Sequence, residues 1–104
     1  MQELTLSLFE PHVGSSFQVL VHGQPALKMK LVEAEDLTVA GRWRDPAVRV
    51  QPFSLIFHGP LSPIAPQSNY DLSHAQLGQL QIFLVPLGPD KKSRLNMQYQ
   101  AVFN

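Results

Sequence analysis

Cysteine is absent from this chain. That excludes disulfide staples, thiolate zinc sites and cysteine nucleophiles together. An excess of either charge is missing too: eight Lys+Arg balance eight Asp+Glu. Proteins that bind nucleic acid neutralise phosphates with a basic surplus, so no nucleic-acid partner is expected. Zero net charge also removes long-range repulsion between copies; self-association is tolerated but not required, and the oligomeric state stays open. Long apolar runs are lacking, because proline and glycine interrupt each one, and no membrane span is expected. The opening Met1-Gln-Glu-Leu-Thr-Leu-Ser-Leu-Phe9 has neither the basic start nor the apolar length of a signal peptide, so a cytoplasmic location is expected.

What the chain does contain is enough for one core. Its 104 residues read as a single domain, 1–104. Area scaling gives a folded surface of roughly 5,800 Å² against roughly 16,800 Å² unfolded, so about 65% is buried without help from staples or metal. The centre of that core is Pro52 to Pro60, Pro-Phe-Ser-Leu-Ile-Phe-His-Gly-Pro. In an extended chain Phe53, Leu55 and Phe57 share one face and Ser54, Ile56 and His58 the other. Proline and glycine-proline fix its ends.

The six glycines and most of the nine prolines lie between short apolar runs, the punctuation of an all-β domain. Phe9 to Ser16 is expected to be a loop. Phe17, Val19 and Val21 alternate with Gln18, Leu20 and His22 as a first strand, and Gly23-Gln24-Pro25 suits a hairpin turn. Leu27 to Leu37 carries good helix formers, yet Leu27, Met29 and Leu31 alternate with Lys28 and Lys30 as a half-buried strand would; strand is the expectation. Three prolines, Pro60, Pro63 and Pro66, exclude regular structure up to Ser68. Asn69 to Ser73 follows as a short strand with Tyr70 and Leu72 inward, then a turn from His74 to Gly78. Leu80 to Leu87 is apolar on both faces and reads as a strand buried on both sides, with a polar turn from Pro86 to Ser93. Leu95, Met97, Tyr99, Ala101 and Phe103 form the inner face of a last strand whose end is structural. About six strands with short links specify a small antiparallel barrel or sandwich.

Taken together, Phe9-x-Pro11-x-Val13-Gly14, Pro52-Phe-Ser-Leu-x-Phe-x-Gly-Pro60, Pro66-Gln-x-x-Tyr70-x-Leu72-x-His74-x-x-Leu77-Gly78, Phe83-Leu-Val-Pro86-x-Gly88 and Tyr99-x-Ala-x-Phe-Asn104 form a pattern. It resembles an uncharacterised bacterial single-domain β family of unknown function, across nearly the whole chain. The resemblance implies the same fold and, as a hint toward assembly, association with phage-tail-like, collar-domain proteins. Leu37 to Gln51 is covered by no motif of that pattern.

Four histidines (His12, His22, His58, His74) invite a metal or acid–base reading. None stands at a ligand spacing and none has a local carboxylate partner, so no metal or cofactor is expected. His58 and His74 adjoin turns, where backbone carbonyls are the expected partners. No serine lies in a Gly-x-Ser-x-Gly elbow; Ser54 reads as a satisfied buried hydroxyl. Glu33, Glu35 and Asp36 fit a solvated strand end at least as well as an acid–base cluster. The sharpest binding feature is Arg42-Trp43-Arg44: the only tryptophan, between two guanidiniums, has the composition of a hot spot for a protein partner. The competing account folds Trp43 back as a lid on the barrel end with the arginines outward, and the lid is the expectation. No catalytic constellation is present, which points to a non-catalytic structural or protein-interaction module; the alternative is a small-ligand-binding barrel using the Trp43 loop.

Overall fold

The computed structural model describes residues 4–37 and 52–103. Six strands build it: β1 Ser16–Val21, β2 Gln24–Asp36, β3 Phe53–Gly59, β4 Ser68–His74, β5 Gly78–Pro89 and β6 Met97–Phe103. All pairings are antiparallel, and the order β1-β2-β3-β6-β5-β4 closes on itself through β4 and β1. Of the barrel or sandwich expected, the molecule is the barrel. Closure gives each strand a hydrogen-bonded neighbour on both sides, so the sheet has no edge strand.

The interior is the period-two face of each strand. Phe17 and Val19, Met29 and Leu31, and Leu72 are all buried. So are Ile82 and Leu84 of β5 and Tyr99 of β6, around the central Phe53, Leu55 and Phe57. Phe17 and Phe57 meet edge to face at 5.4 Å between ring centres, a geometry that suits the aromatic quadrupoles. Leu27 to Asp36 is strand, as the alternation required, because its apolar side has a barrel interior to fill. β2 carries a bulge: Leu31 pairs with Phe57 but Glu33 with Ile56, so Val32 is the extra residue. The bulge shifts the phase, so that Lys30, Glu33 and Glu35 all lie outward despite their spacing.

Both ends of the barrel are plugged. At one, Leu6–Phe9 forms a short helix, α1, and within the segment expected to be a loop, Phe9 to Ser16, Glu10–His12 forms a 3₁₀ turn. Thr5 caps α1 by accepting a hydrogen bond from the Leu8 amide at 3.3 Å. Four residues are too few to show helical periodicity in a sequence; burial of Leu6 and Phe9 holds the turn. Phe9 lies 6.1 Å from Phe53 and 6.2 Å from Phe103, and Phe53 stacks on Phe103 at 4.5 Å. At the other end the proline-rich connection crosses from β3 to β4. Ala65 is buried, and its amide donates to the Tyr99 hydroxyl at 2.9 Å.

Two turns differ from expectation. The β1–β2 hairpin turns at His22-Gly23, both with positive φ (53° and 78°), and Gln24 and Pro25 already belong to β2. Two consecutive left-handed residues make the primed turn whose twist matches the strands; histidine at the first position obscured it. After β5, which runs on to Pro89, the turn starts at Asp90, where the Ser93 amide and hydroxyl both donate to the carboxylate (3.0 and 2.8 Å). The expected start at Pro86 was early because Pro86 and Gly88 flank a bulge within the strand, with Leu87 as the extra residue.

Candidate functional site

The polar side chains of the barrel gather in two places. At the first, His74 ends β4 and is buried. Its Nδ1 accepts the backbone N–H of Gln76 (3.0 Å) and of Leu77 (3.1 Å), and its Nε2 lies 2.9 Å from the Ser15 hydroxyl. Two amides on Nδ1 require a lone pair there, so the neutral ring carries its proton on Nε2 and donates it to Ser15. Ser15 in turn donates to the His12 carbonyl at 2.6 Å. His12 stands edge-on to His74 at 4.7 Å and Phe17 lies 4.5 Å away on another side. Burial first, and then the His12 charge, push the His74 pKa below its ordinary value.

Chemically this arrangement is a clasp. A general base must take the serine proton through a free imidazole lone pair. Here that lone pair is spent on two amides, and the nitrogen facing Ser15 is the donor. The expectation that His74 bonds backbone carbonyls is corrected in polarity: it accepts from amides, because the tight β4–β5 turn aims its unpaired N–H groups at the ring.

The second place is the outer wall. Register aligns Ser16, Lys30, His58 and Gln98 on one rung across β1, β2, β3 and β6. The Gln98 amide nitrogen lies 3.4 Å from His58 Nε2 and 3.4 Å from Asp90 Oδ1. The partner of His58 is thus a side chain on the next strand, where a backbone carbonyl was expected. His22 occupies the β1–β2 turn, away from both places. Among the described residues no cluster of three or more metal-ligating side chains occurs. Ser54 is buried as expected, but its hydroxyl bonds no other described residue.

The outer wall also overturns the expectation that β5 is buried on both faces. Leu80, Ile82 and Leu84 face the interior, while Phe83 and Leu87 are 45% and 50% exposed. A closed barrel has one interior, and among the described residues no second layer covers this side of β5. On β6, the strand that pairs with β5 from Val85 onward, Val102 is 49% exposed, and Val85 of β5 and Ile56 of β3 are half-buried. The apolar count of β5 could not separate a doubly buried strand from one with an apolar outside. Arg42, Trp43 and Arg44, singled out from sequence, lie outside the described residues. No helix among the described residues is long and apolar enough to cross a membrane.

Compared with known proteins, residues 4–103 match one family model, described as a domain of unknown function. Neither a curated protein nor a solved structure matches the chain.

Proposed function

The chain belongs to this family, DUF6916, and from that premise we propose that it is a non-catalytic protein-interaction module that docks through the outer face of β5 and β6. The observation that carries the reading is the exposed trio Phe83, Leu87 and Val102 on a barrel without a free edge. Exposed apolar side chains gathered on adjacent strands make a candidate contact surface. Each strand has a neighbour on both sides of the closed barrel, so the reading has the partner recognise side chains on the outer wall. Zero net charge gives no overall attraction to a charged partner, so the reading rests on apolar complementarity. The same proposal makes the domain a cytoplasmic accessory of a larger, phage-tail-like assembly, the role the sequence resemblance implies.

A photo-crosslinking residue placed at position 83 in cells that naturally contain the protein tests it. A discrete cross-linked species is expected at 83 and at 102, and not at Gln24 on the distant hairpin. Equal yields at all three positions, or none, would sink the reading. Phe83→Ser and Val102→Ser should leave stability within about 0.5 kcal/mol, as exposed positions do.

The second reading, a small-ligand-binding barrel using Arg42, Trp43 and Arg44, rests on the composition of that segment. Trp43 is the only tryptophan, so its fluorescence reports on it alone. A saturable emission change across a metabolite and sugar library supports this reading, and a flat response removes it.

A further inference from the structure

We propose that the cleft on the outer wall of β2 is a binding site for a small organic oxyanion, a carboxylate or phosphate carried on an apolar body. The cleft holds about 560 Å³, within the range of small-molecule sites, and is lined by Lys28, Lys30, His58, Pro60, Pro63 and Asn96 among others. Lys28 and Lys30 project from the same face of β2, about 7 Å apart by strand geometry. Lys30 pairs in register with His58. Two ammonium groups, an imidazole and an asparagine amide therefore converge on one opening.

Three features favour an anion there. Neither Lys28 nor Lys30 has an ion-pair partner among the described residues, so both ammonium groups are open to a ligand. Asp90, the carboxylate that Gln98 links to His58, is engaged elsewhere: Ser93 holds it by amide and hydroxyl. Those Ser93 hydrogen bonds also lower the Asp90 pKa. Finally, Gln98 donating to His58 Nε2 leaves the ring proton on Nδ1, which is then a donor for a ligand.

The walls set the ligand's other half. Pro60 and Pro63 present ring methylenes and no N–H, and Ala26 and Leu27 add apolar surface. An apolar body would lie against them while its oxyanion took charge-assisted hydrogen bonds from the lysines. A nucleic-acid strand is not favoured, because the chain carries no net positive charge to neutralise a run of phosphates.

An amide-resolved NMR titration of the full chain with phenyl phosphate, benzoate and inorganic phosphate tests the proposal. Phenyl phosphate or benzoate should shift the amides of Lys28, Lys30, His58 and Gly59 saturably, with a dissociation constant of about 1 mM or tighter. The organic probe that binds more tightly identifies the oxyanion, and inorganic phosphate should bind more weakly than phenyl phosphate. Combining Lys28→Gln with Lys30→Gln should weaken binding about tenfold or more with an unchanged melting temperature. Absence of saturation by both organic probes at roughly 10 mM would overturn the site, as would unaltered affinity in the double variant. Inorganic phosphate binding as tightly as phenyl phosphate would overturn the apolar half. Phe83→Ser should bind the probes normally, so this inference and the docking face on β5 stand or fall separately.

Discussion

Phe57 shows what one side chain contributes. It lies mid-strand in β3, is fully buried and meets Phe17 edge to face. Phe57→Ala removes a ring from a closed interior whose walls are tied on every side, so little collapse can fill the void. A loss of about 3–5 kcal/mol is expected, a large share of a small domain's stability; an unchanged denaturation midpoint would contradict that packing. Tyr99 adds a polar duty, since its hydroxyl accepts the buried Ala65 amide. Tyr99→Phe keeps the ring and strands that amide, for a cost of about 1–3 kcal/mol in urea denaturation. Gly59 is a third case: a Cβ there would stand 3.3 Å from both Met29 Cγ and Tyr99 Cε2. The glycine that reads in sequence as a strand breaker is also where two core side chains press against backbone.

Among the elements, the clasp between β4 and the lead-in segment before β1 is the one that titrates. His74 is held neutral, with its pKa below the usual histidine value. The unfolded chain therefore binds a proton at higher pH than the folded one does. The clasp's contribution is complete above about pH 6.5 and is lost as pH falls from there through the lower folded-state pKa. Protonation adds a hydrogen to Nδ1 and breaks both amide hydrogen bonds of the turn. The melting temperature should accordingly decline between about pH 7 and pH 5, and His74→Gln should flatten the decline while lowering stability at neutral pH. His12, whose charge adds to the depression, serves as control: His12→Gln should leave most of the slope in place. An equal slope in His74→Gln would assign the titration to other groups.

At the scale of the whole molecule, closure is the decisive property, and it is uneven. β3 pairs with β6 from Phe53 to Gly59, whereas β1 and β4 pair only from Gln18 to Leu20. Fewer hydrogen bonds must break together to open that seam, so local opening should start there. Hydrogen exchange should be fastest, among paired strand amides, along the β1–β4 seam and slowest in β3. Uniform protection around the barrel would show that it opens only as a unit.

Local pattern alone determined most of the strands, and the inside of those that alternate. Alternation in Phe53 to Phe57, Met97 to Phe103 and Leu27 to Leu31 is a property of neighbouring residues, and period two needs no tertiary knowledge. Membership of an all-β class followed from the same punctuation. The choice of barrel over sandwich did not, because both bury the same faces and differ only in whether β1 meets β4, far apart in the chain. Two further outcomes needed that closure: Phe83 and Leu87 face outward, and α1 forms because Leu6 and Phe9 have a barrel end to plug. Lys30, His58 and Gln98 share a rung through the β2–β3 and β3–β6 pairings, which the linear pattern does not display either. The clasp of His74 with Ser15 needed closure too, joining residues 59 positions apart. A side chain's direction is set by its neighbours in sequence; what it faces is set by strands that closure brings beside it.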